Sequence, residues 1–282
     1  MELIDIGVNL TNRAFAKDLE TVLERAAAAS VLSMVATGTT VEDSRKAAEI
    51  AARFRRQVVS TAGVHPHHAD TLGSEALQEL EQLAALPEVV AIGETGLDFN
   101  RDFSPRADQE KAFEAQLELA TKLKMPVFIH QRDAHHRLLP ILRDYRGELV
   151  DAVVHCFTDT REALHDYLDL DLYIGVTGWI CDERRGDALR DLVRDIPEHR
   201  LLIETDAPYL LPRTLKPRPR NGRNEPAYLG YVLEAVAEHR GQDLEQVAAT
   251  TSANARRFFR LGRGLRISDS EAVDLGPGLR SH

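Results

Sequence analysis

The feature that most constrains this chain is its rhythm: short apolar runs alternate with amphipathic stretches, almost without interruption, for about two hundred residues. Strand-like runs are expected at 3–10, 31–37, 58–65, 89–98, 126–130, 152–157, 173–177 and 201–205. Helical sequence fills the gaps at 15–29, 41–54, 73–86, 108–124, 136–145, 161–168 and 186–195. Runs such as Val89-Val90-Ala91-Ile92 are apolar on consecutive positions, as expected of parallel strands covered on both faces. Eight strand–helix units of this kind predict an α/β fold, a (β/α)8 TIM barrel. A Pro- and Arg-rich loop over 211–226 follows the last strand, and helices over 228–239 and 244–259 are expected against the outside of the barrel. We read one domain over residues 1–262 and a flexible, glycine-rich polar tail over 263–282.

In such barrels the chemistry sits where the strands finish, so residues at strand ends are the ones to weigh. The fourth strand ends in Glu94, set between Gly93 and Gly96, which leave room for a ligand or a tight turn. The third ends in His65, the fifth in His130 with Arg132 beyond it, the sixth in His155, and the eighth in Glu204-Thr205-Asp206. Any one of these alone would more often be an ordinary hydrogen-bonded side chain, but together they gather at one end of several strands. Imidazoles and carboxylates brought together in this way suit Mg, Mn or Zn according to geometry. Pro66 bends the chain away after His65, so His67 and His68 are expected on the surface. Cys156, next to His155, is expected on the opposite face, packed against a helix. Glu204 and Asp206 share a face, and Asp206, nearer the mouth, is the better candidate for chemistry.

Arginines are dense after the strand ends: Arg132, Arg184, Arg185, Arg213, Arg218, Arg220 and Arg223. Guanidinium groups suit bidentate contacts with phosphate, although about half of such loop arginines would serve surface ion pairs. A metal site with a basic rim suggests a phosphate ester. Phe99, Phe157, Trp179 and Tyr209 at the same end are candidates for stacking on unpaired bases. The net charge of −10 argues against a broad basic face that coats duplex nucleic acid and leaves room for a local basic groove. Two cysteines make no disulfide framework, no run is apolar enough to span a bilayer, and no basic leader precedes the first strand. A cytoplasmic monomer with no membrane association is expected.

The stretches GVHPH, IGETGLDFNRDFSP, QEKAFEAQLELA, MPVFIHQRDA, HCFTDTRE, IGVTGWICDERRG and LLIETDAPYLLP occur in this order. They closely resemble the TatD family of metal-dependent deoxyribonucleases over roughly residues 1 to 260. CDERRG and the opening DIGVNL look like the family's namesake branch rather than its paralogues. Many relatives begin with an Asp-x-His-x-His strand, whereas Asp5 is followed here by Gly7 and Asn9. That departure favours a weaker, oxygen-richer site for Mg or Mn over a tight zinc pair, with one or two ions. The resemblance implies Glu94, His130, His155 and Asp206 as metal ligands, with Asp206 also orienting or deprotonating the attacking water. Glu94 and His65 complete the catalytic set, and His65, Arg132, Arg184, Arg185 and Arg223 are the phosphate-binding candidates. It further implies 3′-to-5′ exonuclease activity on single-stranded DNA, RNA as a second substrate, and a role in repair of oxidative DNA damage. Two other readings stand beside it. One is an amidohydrolase-like enzyme acting on an amide, lactone or aminoacyl ester, against which the missing histidine pair and the arginine-rich rim count. The other is a metal-holding barrel that works through a binding partner.

Overall fold

A computed structural model describes residues 1–262, so the expected tail lies outside the described residues. The strands are β1 (Leu3–Val8), β2 (Val31–Ala36), β3 (Val58–Ala62), β4 (Val89–Asp98), β5 (Val127–Arg132), β6 (Ala152–Val154), β7 (Tyr173–Val176) and β8 (Leu201–Ile203). The helices between them are α1 (Leu19–Ala28), α2 (Val41–Arg53), α3 (Ser74–Ala84), α4 (Arg106–Leu123), α5 (His135–Tyr145), α6 (Arg161–Asp169) and α7 (Asp187–Leu192); α8 (Leu229–Arg240) and α9 (Leu244–Phe258) follow β8. All neighbouring strands pair in parallel and in chain order. Val8 bridges Ala207, and the Asp206 N–H donates to the Gly7 carbonyl at 2.9 Å, which brings the end of the sheet back to its beginning. The expected (β/α)8 barrel is the observed fold.

Every residue of β4 is buried, consistent with its unbroken apolar start. Gly93 and Gly96 have φ of 139° and 136°, and a Cβ there would lie 2.3 Å and 1.9 Å from carbonyl oxygens of β5. Only glycine fits so close an approach. Across this contact Gly93 pairs with Phe128 and Thr95 with Ile129, so Glu94 is the extra residue of a bulge, a device that re-aims a side chain.

Two apolar layers hold the barrel. The outer one lies between strands and helices. The inner one is built from residues near the strand starts, among them Ile4, Val59, Val90, Phe128 and Tyr173, together with Ala255, Phe258, Phe259 and Leu261. The last helix therefore does not simply lie on the outside, as its sequence suggested. Ser252 donates to the Glu2 carbonyl at 2.8 Å and Asn254 to the Leu201 carbonyl at 2.8 Å, so α9 plugs the barrel at its amino-terminal end. The opposite end stays open. Several strands are also shorter than their apolar runs: β6 stops at Val154, before the left-handed turn at Cys156 (φ 47°), and β3 stops at Ala62.

Candidate metal centre at the carboxyl ends of the strands

At the open end lies a cavity of about 720 Å3 whose floor is made by His65, Glu94, Asp98, His130, His155 and Asp206. One oxygen of Glu94, Oε1, is its hub. It lies 2.7 Å from His155 Nε2, 3.0 Å from His130 Nδ1 and 3.4 Å from His65 Nε2. The strand ends of β4, β5 and β6 deliver the first three groups, and the loop after β3 delivers His65. The His67 backbone N–H donates to His65 Nδ1 at 3.1 Å, which leaves Nε2 as the nitrogen turned to the hub. His65, Glu94 and His130 each offer a ligand atom within 4.8 Å of the other two.

A further ring of groups holds these in place. Asp98 Oδ2 lies 2.8 Å from His67 Nε2 and 3.2 Å from His130 Nε2. Glu204 is fully buried, accepts the Cys156 backbone N–H at 2.6 Å and lies 3.3 Å from His155 Nδ1. The Asn9 amide donates to Asp206 Oδ1 at 2.9 Å. A Cβ at Gly7 would stand 2.3 Å from Glu204 Oε2. The two positions where many relatives carry histidine are thus used here to make room for one carboxylate and to hold another.

Burial and charge set opposing shifts. Burial would raise the Glu94 carboxyl, but the facing His155 and His65 hold it well below the usual carboxylate range. Burial would lower His155, yet Glu94 and Glu204 push it well above the usual imidazole value. For His65 burial wins over Glu94 and takes it down to about 4, so its ring is neutral. Asp206 is pushed up to about 7 by burial, with the charges of Glu94 and Glu204 adding to it. Three carboxylates and three imidazoles share one floor, with a neutral histidine among them. This is a donor set that fits a divalent cation, since carboxylate oxygens and imidazole nitrogens suit Mg, Mn and Zn.

The structure brings together His65, Glu94, His130, His155 and Asp206, and Arg132 lines the same cavity from an exposed position. It does not bring the other arginines. Arg223 is turned away: it pairs with Asp18 at 2.7 Å and Glu225 at 2.6 Å, because those carboxylates outcompete the cavity for its fork. Arg184 does not line the cavity, and Arg185 lies in an adjoining groove against Asp182. Two other expectations are corrected. His67 is not a surface residue but is held in the cavity wall by Asp98. Cys156 lines the cavity too, because the strand has already ended and alternation no longer applies. Burial and the charges of Asp206 and Glu204 keep its thiol well above the usual value, so it is neutral and a poor ligand. Asp98 was not singled out from sequence, although its spacing from Glu94 and Gly96 along one strand was the available signal.

Comparison with known proteins places the chain in a family. The family model described as TatD related DNase matches residues 4–260. A Citrobacter rodentium protein named 3′-5′ ssDNA/RNA exonuclease TatD is 53% identical over 257 residues, which cover 91% of this chain and 97% of that one. Its namesake in Salmonella typhimurium is 52% identical, covering 91% and 98%. Among solved structures, a TatD homologue from Escherichia coli superposes with a TM-score of 0.84 at 27% identity, covering 92% of this chain and 98% of that one. A hydrolase of the TatD family from Entamoeba histolytica gives 0.82 at 29% identity, covering 92% and 98%. With a family match that spans nearly the whole barrel and half of all positions shared with curated relatives, the chain belongs to the TatD-related DNase family.

Proposed function

We propose that the protein is a 3′-to-5′ exonuclease of single-stranded DNA that also accepts RNA. The observation that carries this reading is the Glu94 hub, one carboxylate oxygen within 3.4 Å of three imidazoles at the open end of a barrel whose relatives bear that name. Glu94, His130, His155 and Asp206 would hold a divalent cation, Mg first and Mn or Zn as substitutes, with His65 able to complete the set. When bound, the cation supplies Lewis-acid charge to the phosphoryl group and makes water more acidic. Asp206, on the cavity floor, takes the proton of the attacking water. The Asn9 amide holds the carboxylate in position for that transfer. Arg132, exposed at the rim, neutralises the phosphate that enters. Glu204 and Asp98 fix the rings of His155 and His130 from behind. Release of nucleotides one by one suits removal of damaged 3′ ends, and we place the enzyme as a monomer in cytoplasmic DNA repair.

The test is purified protein with single-stranded DNA labelled at the 5′ or the 3′ end, in Mg and in chelator, beside His155→Ala. A descending ladder from the 5′ label and immediate mononucleotide from the 3′ label are expected, both abolished by chelator and by the substitution. No cleavage of DNA or RNA with Mg, Mn or Zn would overturn the reading, and turnover of amide or ester substrates instead would favour the amidohydrolase-like alternative.

A further inference from the structure

Beside the central cavity, between the loops that follow β7 and β8, runs a second groove of about 350 Å3. It is not separate from the first: Trp179 and Leu210 line both. Its charged lining is Arg185, Arg213 and Arg218 around one carboxylate, Asp182. We propose that this groove is a second phosphodiester subsite, which holds the polynucleotide strand where it leaves the catalytic cavity. The proposal rests on the exonuclease reading above and adds where the rest of the strand lies.

Asp182 is buried, and its Oδ2 accepts from Arg185 Nη2 at 3.2 Å and lies 3.0 Å from Arg213 Nε in an ion pair. Its Oδ1 accepts the Arg184 backbone N–H at 2.9 Å. The carboxylate therefore holds two guanidinium groups beside it, and a guanidinium has five N–H donors, so donors remain for a ligand. Arg218 is exposed and pairs with no carboxylate among the described residues. Three cations on one anion leave the groove basic in a chain whose net charge is −10. A polyanion repelled by most of the surface is steered to such a place.

Trp179 marks the doorway. Its indole N–H donates to the Arg185 carbonyl at 3.3 Å, and the Arg185 guanidinium lies 4.7 Å from the ring centroid. Held in this way, the ring offers a fixed stacking surface where the central cavity passes into the groove. Arginine forks beside an aromatic platform are the combination by which proteins follow single strands without reading their sequence. The central cavity is of the size that takes a drug-sized ligand, the scale of a dinucleotide, whereas a longer strand must continue outward.

The experiment compares Arg218→Gln and Arg213→Gln/Arg218→Gln with the unaltered protein. Binding of fluorescein-labelled oligo-dT of about 20 nucleotides is followed by anisotropy in chelator across a salt series. KM is measured in Mg for the same oligomer and for a thymidine dinucleotide. The double variant is expected to weaken oligomer binding about tenfold and to flatten the log–log salt slope by about 1.4, near 0.7 for each lost phosphate contact; the single variant loses about half of each. KM rises for the oligomer and stays within about twofold for the dinucleotide, which ends before the groove. Unchanged oligomer binding and slope, or equal rises in KM for both substrates, would overturn the subsite. Arg218→Gln keeps the test valid if the double variant does not fold, since Arg218 is exposed and ties no element together. Hydrolysis of neither substrate by the unaltered protein would overturn the exonuclease reading instead, and the anisotropy arm would still decide the groove.

Discussion

Asp98 shows how much of this site depends on groups that need not touch a substrate. It accepts backbone N–H groups of Asn100 at 3.0 Å and Arg101 at 2.9 Å through Oδ1, which leaves Oδ2 for His67 and His130. Burial would raise this carboxyl, but the bonds from His130 and His67 hold it far below the usual range, so it is an anion throughout the working pH. An amide keeps the shape and loses the charge that orients the imidazole. Asp98→Asn is expected to lower Mg-dependent activity by about 10- to 100-fold, with partial recovery at raised Mg, measured as a Mg titration of the initial rate. Gly7 gives a second prediction of opposite character. A methyl group there would press on Glu204 Oε2, so Gly7→Ala must displace the carboxylate that steadies His155. It is expected to cost about 1–3 kcal/mol in urea unfolding and to reduce kcat, whereas Gly73→Ala, in open space, should leave the rate unchanged. Glu94, His130 and His155 were legible in the sequence because each follows an apolar run. The placing of His67 and Cys156 was not, because the direction of both side chains is set by loop torsions that alternation does not describe.

At the scale of elements, the barrel is legible because period and length agree: runs too apolar for a wet face, spaced by stretches long enough for crossover helices. Strand ends are less so. The run 152–157 looks like one strand, yet only Ala152–Val154 pair, since the sequence does not announce the turn at Cys156. The place of α9 was hidden for a related reason: an amphipathic helix looks the same whether its apolar stripe lies on the barrel wall or seals its end. The aromatic pair at its end makes the difference. Phe258 and Phe259 are each 2% exposed and pack edge to face 4.7 Å apart, and Phe258 meets Tyr173 of β7 at 5.2 Å. Removing one ring opens a void at the base of the inner layer. Phe258→Ala is expected to cost about 3–5 kcal/mol and roughly 10 °C in Tm, read by calorimetry. Activity per folded molecule should be preserved, since the reacting groups are at the other end.

The whole molecule depends on a closure that joins residues about two hundred positions apart. The Thr205 N–H donates to Asp5 Oδ1 at 2.9 Å across the β1–β8 seam, and Asn224 donates to the Thr205 carbonyl at 3.0 Å. Beside the seam, a cluster of two arginines and two carboxylates ties the loop after β8 to the start of α1. Arg223 bonds Asp18 and Glu225, and Arg25 bonds Glu225 at 2.8 Å and Asp18 at 3.3 Å. This is the work that Arg223 does in place of the phosphate contact its position suggested. No local pattern in the sequence pairs Asp18 with Arg223; only closure of the ring brings them together. The cluster has a pH signature with a definite sign. The Asp18 carboxyl is lowered from 3.8 to about 2, first by its hydrogen bond from Arg223. A carboxyl whose folded pKa lies below its unfolded one contributes stability that is complete above about pH 4 and is lost as pH falls towards 2. Because Asp18 is about one-third exposed, solvent screens the pair and the contribution is modest, on the order of 1 kcal/mol or less. Urea unfolding of the protein and of Asp18→Asn should therefore differ by a constant amount from pH 7 to about 4. The two should converge below that, when the unaltered carboxyl takes up its proton. A difference that persists to pH 2 would mean that Asp18 acts through packing or its backbone position, and that charge is not what ties the loop to the barrel.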